Sequence, residues 1–490
     1  MKTLGERIRI GYKNGMFGRL FNRTDNGKGR TSTLVFAIMN SVLTILSGDI
    51  FYAGYLTLYN FDIHEIGFIS TIPTITSIIG LLTPSILKKL KNPKLSLIIG
   101  RSLRFTLGIL GITIAPMLIT DKNTLMTVIV IITFVSNILS SLIEPCYTEW
   151  QANFLTQDVR ADFFLVQGFA SSLMAYPISM IVARILDSLS GSPEQLTVMI
   201  VCRFVSFALG IIGTLIVTLV PKYSGYRAQT KKIDIKNIIV APFKYRPYLF
   251  TTLVYLIYLF ANSIIGPTIN TYILNVIEVP YSYPTAINAT YFLFFIFFGK
   301  MYSRLVKKFG YFKVLAVLSF VQGFTYIAYA FVTKENYIWL MTTVRFSQHV
   351  IGVGTGIVSS SLVYENLPVV DRADYLMFRN ISVQGVTLLA YALGNAIVAV
   401  VDKAGMTMSL FGIERMVYGT AICLALNGII QVLLGCCMPL LTKLIDKYKI
   451  KDQKMLNVES ELLGVDETQS SEQTNEQQIQ ENPEKQENAE

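Results

Sequence analysis

An all-α membrane protein of twelve transmembrane helices, in two pseudo-symmetric six-helix bundles, is the fold class this sequence predicts, and three observations predict it. Long apolar stretches recur from Thr33 to Thr442 with short polar loops between them. Of 490 residues, 52% are hydrophobic and 15% charged, and the mean hydropathy is +0.49, which leaves too little polar surface for a soluble protein of this length. The arrangement of one half also returns in the other, displaced by about 219 residues at first and about 212 further on.

A bilayer core of roughly 30 Å needs about 20 apolar residues per helix. On that rule the spans are Thr33–Tyr59, Ile66–Leu87, Leu95–Ile119, Thr124–Tyr147, Asp162–Leu186, Thr197–Val220, Tyr248–Val276, Thr285–Tyr302, Phe312–Val332, Tyr337–Val363, Phe378–Val401 and Met416–Leu441. The first is longer than a signal-peptide core and lacks a small-residue cleavage site after it, so it reads as a retained helix. Five cysteines, Cys146, Cys202, Cys423, Cys436 and Cys437, fall within or at the edges of spans, which argues against a disulfide framework or a zinc site.

Lys and Arg are strongly segregated, and loops rich in them stay in the cytoplasm. The basic segments are the amino-terminal arm, the loop after helix 2 with Lys88, Lys89, Lys91 and Lys94, and the central loop, whereas the loops after helices 1 and 7 hold Asp62, Glu65 and Glu278 without a base. An even number of spans then puts both termini in the cytoplasm of a cell with a multi-pass plasma-membrane protein. The organisation is a basic arm (1–32), a first bundle (33–220), a cytoplasmic loop (221–247), a second bundle (248–442) and an acidic, mostly disordered tail (443–490). The net charge of +10 hides that tail, and the basic loops face anionic lipid, so no nucleic-acid partner is expected.

The repeat is clearest at two places. Leu87-Lys88-Lys89 after helix 2 matches Val306-Lys307-Lys308 after helix 8, and Asp158-Val159-Arg160-Ala161-Asp162-Phe163 before helix 5 recurs as Asp371-Arg372-Ala373-Asp374-Tyr375 before helix 11. Six-helix repeats in parallel orientation are a known transporter architecture. On these residues the chain resembles transporters of the major facilitator superfamily, of bacterial type, over about Thr33 to Thr442. The superfamily's signature G-x-L-x-D-R-x-G-R-R-x-x-L between helices 2 and 3 and between helices 8 and 9 is recognisable but eroded. Ser303, Leu305, Lys308, Gly310 and Leu315 hold its places in the second half, with Lys307 at the acid; Pro84, Ile86, Lys88 and Lys89 hold them in the first half. The resemblance implies a gate at this face. With its carboxylate replaced by Lys in both copies, the candidates for that gate are Lys88, Lys89, Asp158, Arg160, Asp162, Lys307, Lys308, Gly310, Asp371, Arg372 and Asp374, with plain interface charges as the alternative.

Ionisable groups inside hydrocarbon are functional candidates because insertion costs about 2.5–3.5 kcal/mol each. Asp49 lies about 24 Å along helix 1 at 1.5 Å per residue. It is the first candidate for a proton- or cation-binding carboxylate, the alternative being a structural partner of a buried donor. Arg345 and His349, four residues apart on helix 10, share a face. Arg345 is a candidate partner for Asp49 or clamp for an anion, and His349 a candidate proton relay or a hydrogen-bonded core histidine. Glu144, before Pro145 in helix 4, is a further coupling candidate or a solvated residue at the mouth of a broken helix. Asn262, Gly266, Pro267 and Asn270 make helix 7 polar and proline-broken, and unwound backbone at membrane depth lines a cavity or is buried in protein. Asn262, Asn270 and Tyr52 therefore join Asp49 and Arg345 as solute-binding candidates. The resemblance implies that helices 1, 4, 7 and 10 line a central cavity, and these candidates fall on those four.

The expectation is a monomeric secondary transporter that moves a small solute by alternating access, with no cofactor beyond a proton or sodium gradient. Helix 5 reads SSLMAYPISMIVARIL and helix 4 has no arginine, so the drug/proton antiporter pattern is not met. The rival classes are a transporter-like sensor that binds without flux and an intramembrane transferase. The latter lacks converging catalytic groups, since the only histidines are His64 and His349 and no metal-ligand cluster or phosphate loop is present.

Overall fold

Backbone amides in hydrocarbon must bond within their own segment, and the apolar stretches accordingly fold as helices. A computed structural model describes residues 16–77, 93–152, 154–155, 157–218, 240, 242–362, 365–368, 372–410 and 413–462. After a short helical turn at Met16–Leu20, the chain forms α1 (Asp25–Leu58, interrupted at Gly48), α2 (Ile63–Ser77) and α3 (Pro93–Phe105, continuing through a π-turn, Thr106–Gly111, into Ile112–Leu118). It continues with α4 (Lys122–Ala152), α5 (Gln157–Ser188) and α6 (Pro193–Thr218). The second half holds α7 (Arg246–Ser263, then Ile269–Thr271 and a π-turn Tyr272–Val276), α8 (Ser282–Phe309), α9 (Tyr311–Tyr329), α10 (Tyr337–Leu362), α11 (Arg372–Ala404) and α12 (Gly419–Leu462). Among the described residues, eight helices are long and apolar enough to cross a membrane by length and composition alone.

Side chains set the helix ends. Asp62 Oδ1 accepts the amides of His64 and Glu65 at 2.8 Å, while Glu65 Oε2 accepts the Asp62 amide at 2.8 Å, a reciprocal capping box at the start of α2. His64 thus sits in the first turn of a helix rather than in a loop. Asp121 caps α4 by accepting from the Thr124 hydroxyl at 2.7 Å and the Thr124 amide at 2.8 Å, and these bonds hold its carboxyl below the usual carboxylate range. Gly310 ends α8 at φ +81°, a conformation a Cβ would resist, and α9 starts at the next residue.

The packing repeats with the sequence. In the first bundle α1 packs on α5 and α6, α2 and α3 on α4, and α3 on α6. In the second, α7 packs on α11 and α12, α8 and α9 on α10, and α9 on α12, the same contacts displaced by six helices. Between the bundles α2 meets α11, α5 meets α8 and α1 meets α7, so the interface is related to itself by the same operation. Outward faces carry exposed apolar side chains such as Phe297, Val400 and Leu440, as a surface solvated by lipid tails requires.

Three features depart from the sequence reading. Helix α1 begins at Asp25 rather than Thr33. Between α11 and α12 lies a two-stranded antiparallel hairpin, β1 (Thr407–Leu410) and β2 (Ile413–Met416), so Met416 ends a strand instead of starting a helix. Helix α12 runs to Leu462, so the first part of the acidic tail continues a helix; residues 463–490 lie outside the described residues. The four cysteines described, Cys202, Cys423, Cys436 and Cys437, are free thiols.

Helices α9 and α12 approach closely at a glycine pair. A Cβ on Gly428 would stand 2.5 Å from the Gly323 carbonyl oxygen, and one on Gly323 equally close to the Gly428 oxygen. The variant Gly428→Val is expected to lose about 1–3 kcal/mol through overpacking. Thermal unfolding in detergent measures this, and an unchanged midpoint would mean that the pair has slack.

Candidate solute site between the bundles

Among the described residues, the bundles touch mainly toward the face that carries the acidic loops. There, Asp187 at the end of α5 accepts the backbone amides of Tyr281 (2.6 Å) and Ser282 (2.9 Å), capping α8 from the other bundle. Phe51 of α1 stacks on Tyr281 with ring centroids 6.0 Å apart, and Asn275 donates to Thr57 at 3.0 Å. Among the described residues the bond between bundles nearest the basic face is at mid-depth, from Ser77 of α2 to Gln384 of α11, at 2.6 Å. Below this closure, among the described residues, the helices border a series of cavities.

Of four cavities along the bundle interface among the described residues, the largest, of about 480 Å³, is bordered by α1, α2, α3, α4 and α7. A second, of about 410 Å³, lies between α1, α5, α7, α8 and α10 and shares Asp49 and Asn270 with the first. Two further chambers, of about 350 and 300 Å³, meet at Asn40 and Ser41 on the part of α1 nearer the basic face. The chambers thus step from Asp49 toward that face.

Asp49 stands where α1 breaks. Ser47 ends one segment, Gly48 is extended, and Asp49 opens the next segment at φ +44°, a left-handed conformation that Asp tolerates better than most residues. Its side chain is exposed to the cavities and makes no ion pair among the described residues. Arg345 borders the same second cavity, and the two form no ion pair, so the pairing alternative for Arg345 is not the one seen. Instead Arg345 donates to Asn288 Oδ1 at 3.1 Å and Gln348 Oε1 at 3.4 Å, while its Nε is buried without an acceptor. His349 also borders this cavity, but it is buried, donates from Nε2 to the Ile287 carbonyl at 3.0 Å and packs against Tyr291 and Phe294. Its contacts are those of the core-histidine alternative.

Asn270 borders both large cavities and Tyr52 the first. The hydroxyls of Tyr52, Thr133 and Thr271 along that wall are buried with no hydrogen bond of normal geometry. Asn262 is elsewhere: it donates to the Tyr258 carbonyl at 2.8 Å and accepts from Tyr326 and Gln431 inside the second bundle. The gate candidates divide. Lys88, Lys89 and Asp371 lie outside the described residues, as do the side chains of Asp158, Arg160, Asp162, Arg372 and Asp374. Lys307 and Lys308 are exposed in the last turn of α8, next to Gly310.

The sequence reading passed over three arginines that dominate the first bundle. Arg101 Nη2 donates to both oxygens of Glu144 at 3.0 Å, and Arg104 Nη1 donates to Oε1 at 2.7 Å. The Arg101 guanidinium lies 4.2 Å from the Phe36 ring centroid and 4.0 Å from that of Tyr147. Glu144 is therefore shared between two cations rather than solvated alone. Deeper in the bundle, buried Arg203 of α6 donates to Thr113 Oγ1 at 2.8 Å and to the carbonyls of Ser47 (3.3 Å) and Ile109 (3.4 Å). Its guanidinium lies over Tyr55 at 4.6 Å and Tyr52 at 5.4 Å. Those carbonyls belong to the α1 break and the α3 π-turn, so Arg203 satisfies acceptors that the irregular backbone releases. The signal was available, since all three arginines lie inside apolar spans.

Replacing Glu144 by Gln leaves two guanidiniums facing each other at a half-exposed site. A loss of roughly 1–3 kcal/mol is expected for Glu144→Gln, partly restored by adding Arg104→Gln. Thermal unfolding of the single and double variants tests the coupling, and strict additivity would refute it.

No family model matches this sequence, and no curated protein is recovered as a relative. Solved structures do match. The nucleoside transporter NupG aligns with a TM-score of 0.56 at 16% identity over 86% of this chain and 99% of that one. A D-xylose-proton symporter aligns at 0.58 and 14% over 84% and 96%. A bacterial homologue of the iron transporter ferroportin, in an inward-facing state, aligns at 0.59 and 13% over 83% and 98%. Such identities speak to architecture, and the shared architecture spans nearly the whole of each neighbour. This integral, multi-pass membrane chain has the two-bundle fold of major facilitator superfamily transporters.

Proposed function

We propose that the protein is a secondary transporter that carries a small hydrophilic solute by alternating access. The observation that carries this reading is the cavity series between two bundles related by an internal repeat, closed on the acidic-loop face and stepping toward the basic face from Asp49. Bundles joined by small contacts can rock about a central site without breaking either core. The proton- and solute-carrying neighbours support the same class. One chain holds both bundles, so a monomer suffices. The basic loops support a cytoplasmic orientation of that face in a plasma-membrane protein.

Asp49 is the coupling residue in this reading. It sits at a helix break, reaches both large cavities and has no counter-ion among the described residues, so protonation changes the charge that a solute meets. In proteoliposomes Asp49→Asn is expected to abolish accumulation driven by a proton gradient while leaving counterflow exchange. Full gradient-driven uptake by the variant would rule out the role, and binding without any flux by the unaltered protein would favour a sensor.

The closure on the acidic face depends on Asp187 holding the first turn of α8. Asp187→Ala should shift the resting population toward opening on that side. Spin labels at Asn60 and Pro280 would then report longer distances, whereas an unchanged distribution would show that aromatic packing alone holds the closure.

A further inference from the structure

We infer that the solute is a small organic oxyanion, a carboxylate or a phosphate, and that Arg104 with the Arg101–Glu144 pair is its recognition subsite; this rests on the transporter reading and names its substrate class. Three guanidiniums, Arg101, Arg104 and Arg345, border the cavities, against two carboxylates, Glu144 and Asp49. Arg203 adds a further buried cation behind the first cavity, with no carboxylate in reach among the described residues. Uncompensated positive charge in a membrane cavity is costly, and an entering anion removes that cost.

The subsite is built rather than incidental. Arg101 is only 3% exposed as a side chain and fixed between two aromatic rings, and its Nε and Nη1 are buried without an acceptor. Arg104 is 32% exposed and borders both the largest cavity and the chamber nearer the basic face, so it can turn from Glu144 toward an incoming anion. Glu144 bridges the two cations, and an oxyanion at Arg104 would compete for that bridge with the bidentate geometry guanidinium favours. Asn40, Gln151 and Gln167 border the chamber with side-chain amides whose N–H groups can donate. In the second cavity Arg345, with its unpaired Nε, offers another anion contact for a solute moving between the chambers.

The test uses the full chain in phosphatidylcholine nanodiscs, with thermal stabilisation and proteoliposome flux as separate readouts. The probes are succinate, glycerol 3-phosphate, glycine, glycerol and glucose at millimolar concentration. The expected result is stabilisation by at least one of the two anions and by none of the uncharged or zwitterionic probes. Arg104→Gln should weaken the anion about tenfold or more, and Arg104→Lys, which keeps the charge but loses the fork, should weaken it less. Equal stabilisation by the neutral probes, anion affinity unchanged in both Arg104 variants, or silence from both anions would overturn the proposal. So would stabilisation by added phosphatidylglycerol alone, which would assign the arginines to lipid. Anion binding without flux would retain the subsite and refute transport, while flux of a neutral probe without anion binding would do the reverse.

Discussion

Every backbone donor and acceptor at membrane depth must find its partner within the protein, and the rest of this structure follows from how that requirement is met. Uninterrupted helices meet it locally. Where the helices are interrupted, at Gly48 in α1, at the π-turn of α3 and between Ser263 and Ile269 in α7, other groups must intervene. Arg203 does so for two of these interruptions at once, reaching the carbonyls of Ser47 and Ile109 from α6. A lysine could not span them with one planar head. The break in α1 is what turns the Asp49 side chain into the space between the bundles, so the candidate site depends on a buried cation that does not itself face the main cavity.

The same economy governs the remaining charges. Exposed apolar side chains such as Phe297, Val400 and Leu440 cover the outer surfaces, while Asp49, Arg101, Arg104, Glu144 and Arg345 border the cavities. In the first bundle the charges are concentrated in Arg101, Arg104 and Glu144, fixed by ion pairs and ring faces. In the second, Arg345 at the cavity and buried Arg379 over the Tyr255 ring stand apart, and Asn262, Asn427 and Gln431 form an amide network. The two halves therefore share a helix arrangement but differ in how their charges are paired.

Closure on one face relies on few contacts: a carboxylate on a helix terminus, a stacked aromatic pair and an amide-to-hydroxyl bond. None requires either bundle core to repack. Contacts of this size, each of order 1 kcal/mol or less when exposed to water, suit the opening and closing of the interface in the proposed cycle.

The sequence by itself determined the class of fold, because apolar length, charge segregation and an internal repeat are properties of the chain that the bilayer reads directly. It also marked Asp49, Arg345 and Asn270 as residues out of place in hydrocarbon, and these three line the cavities. Tertiary structure alone decided which charges meet. Arg101 and Glu144 are distant along the chain and pair only because α3 packs on α4; Arg203 finds its carbonyls only because α6 packs against both α1 and α3. Asn262, equally polar in sequence, turns into the second bundle because Tyr326 and Gln431 are there to bond it. Local composition specifies that a group is costly to bury, but its partner is set by helix rotation and packing, which no single segment encodes.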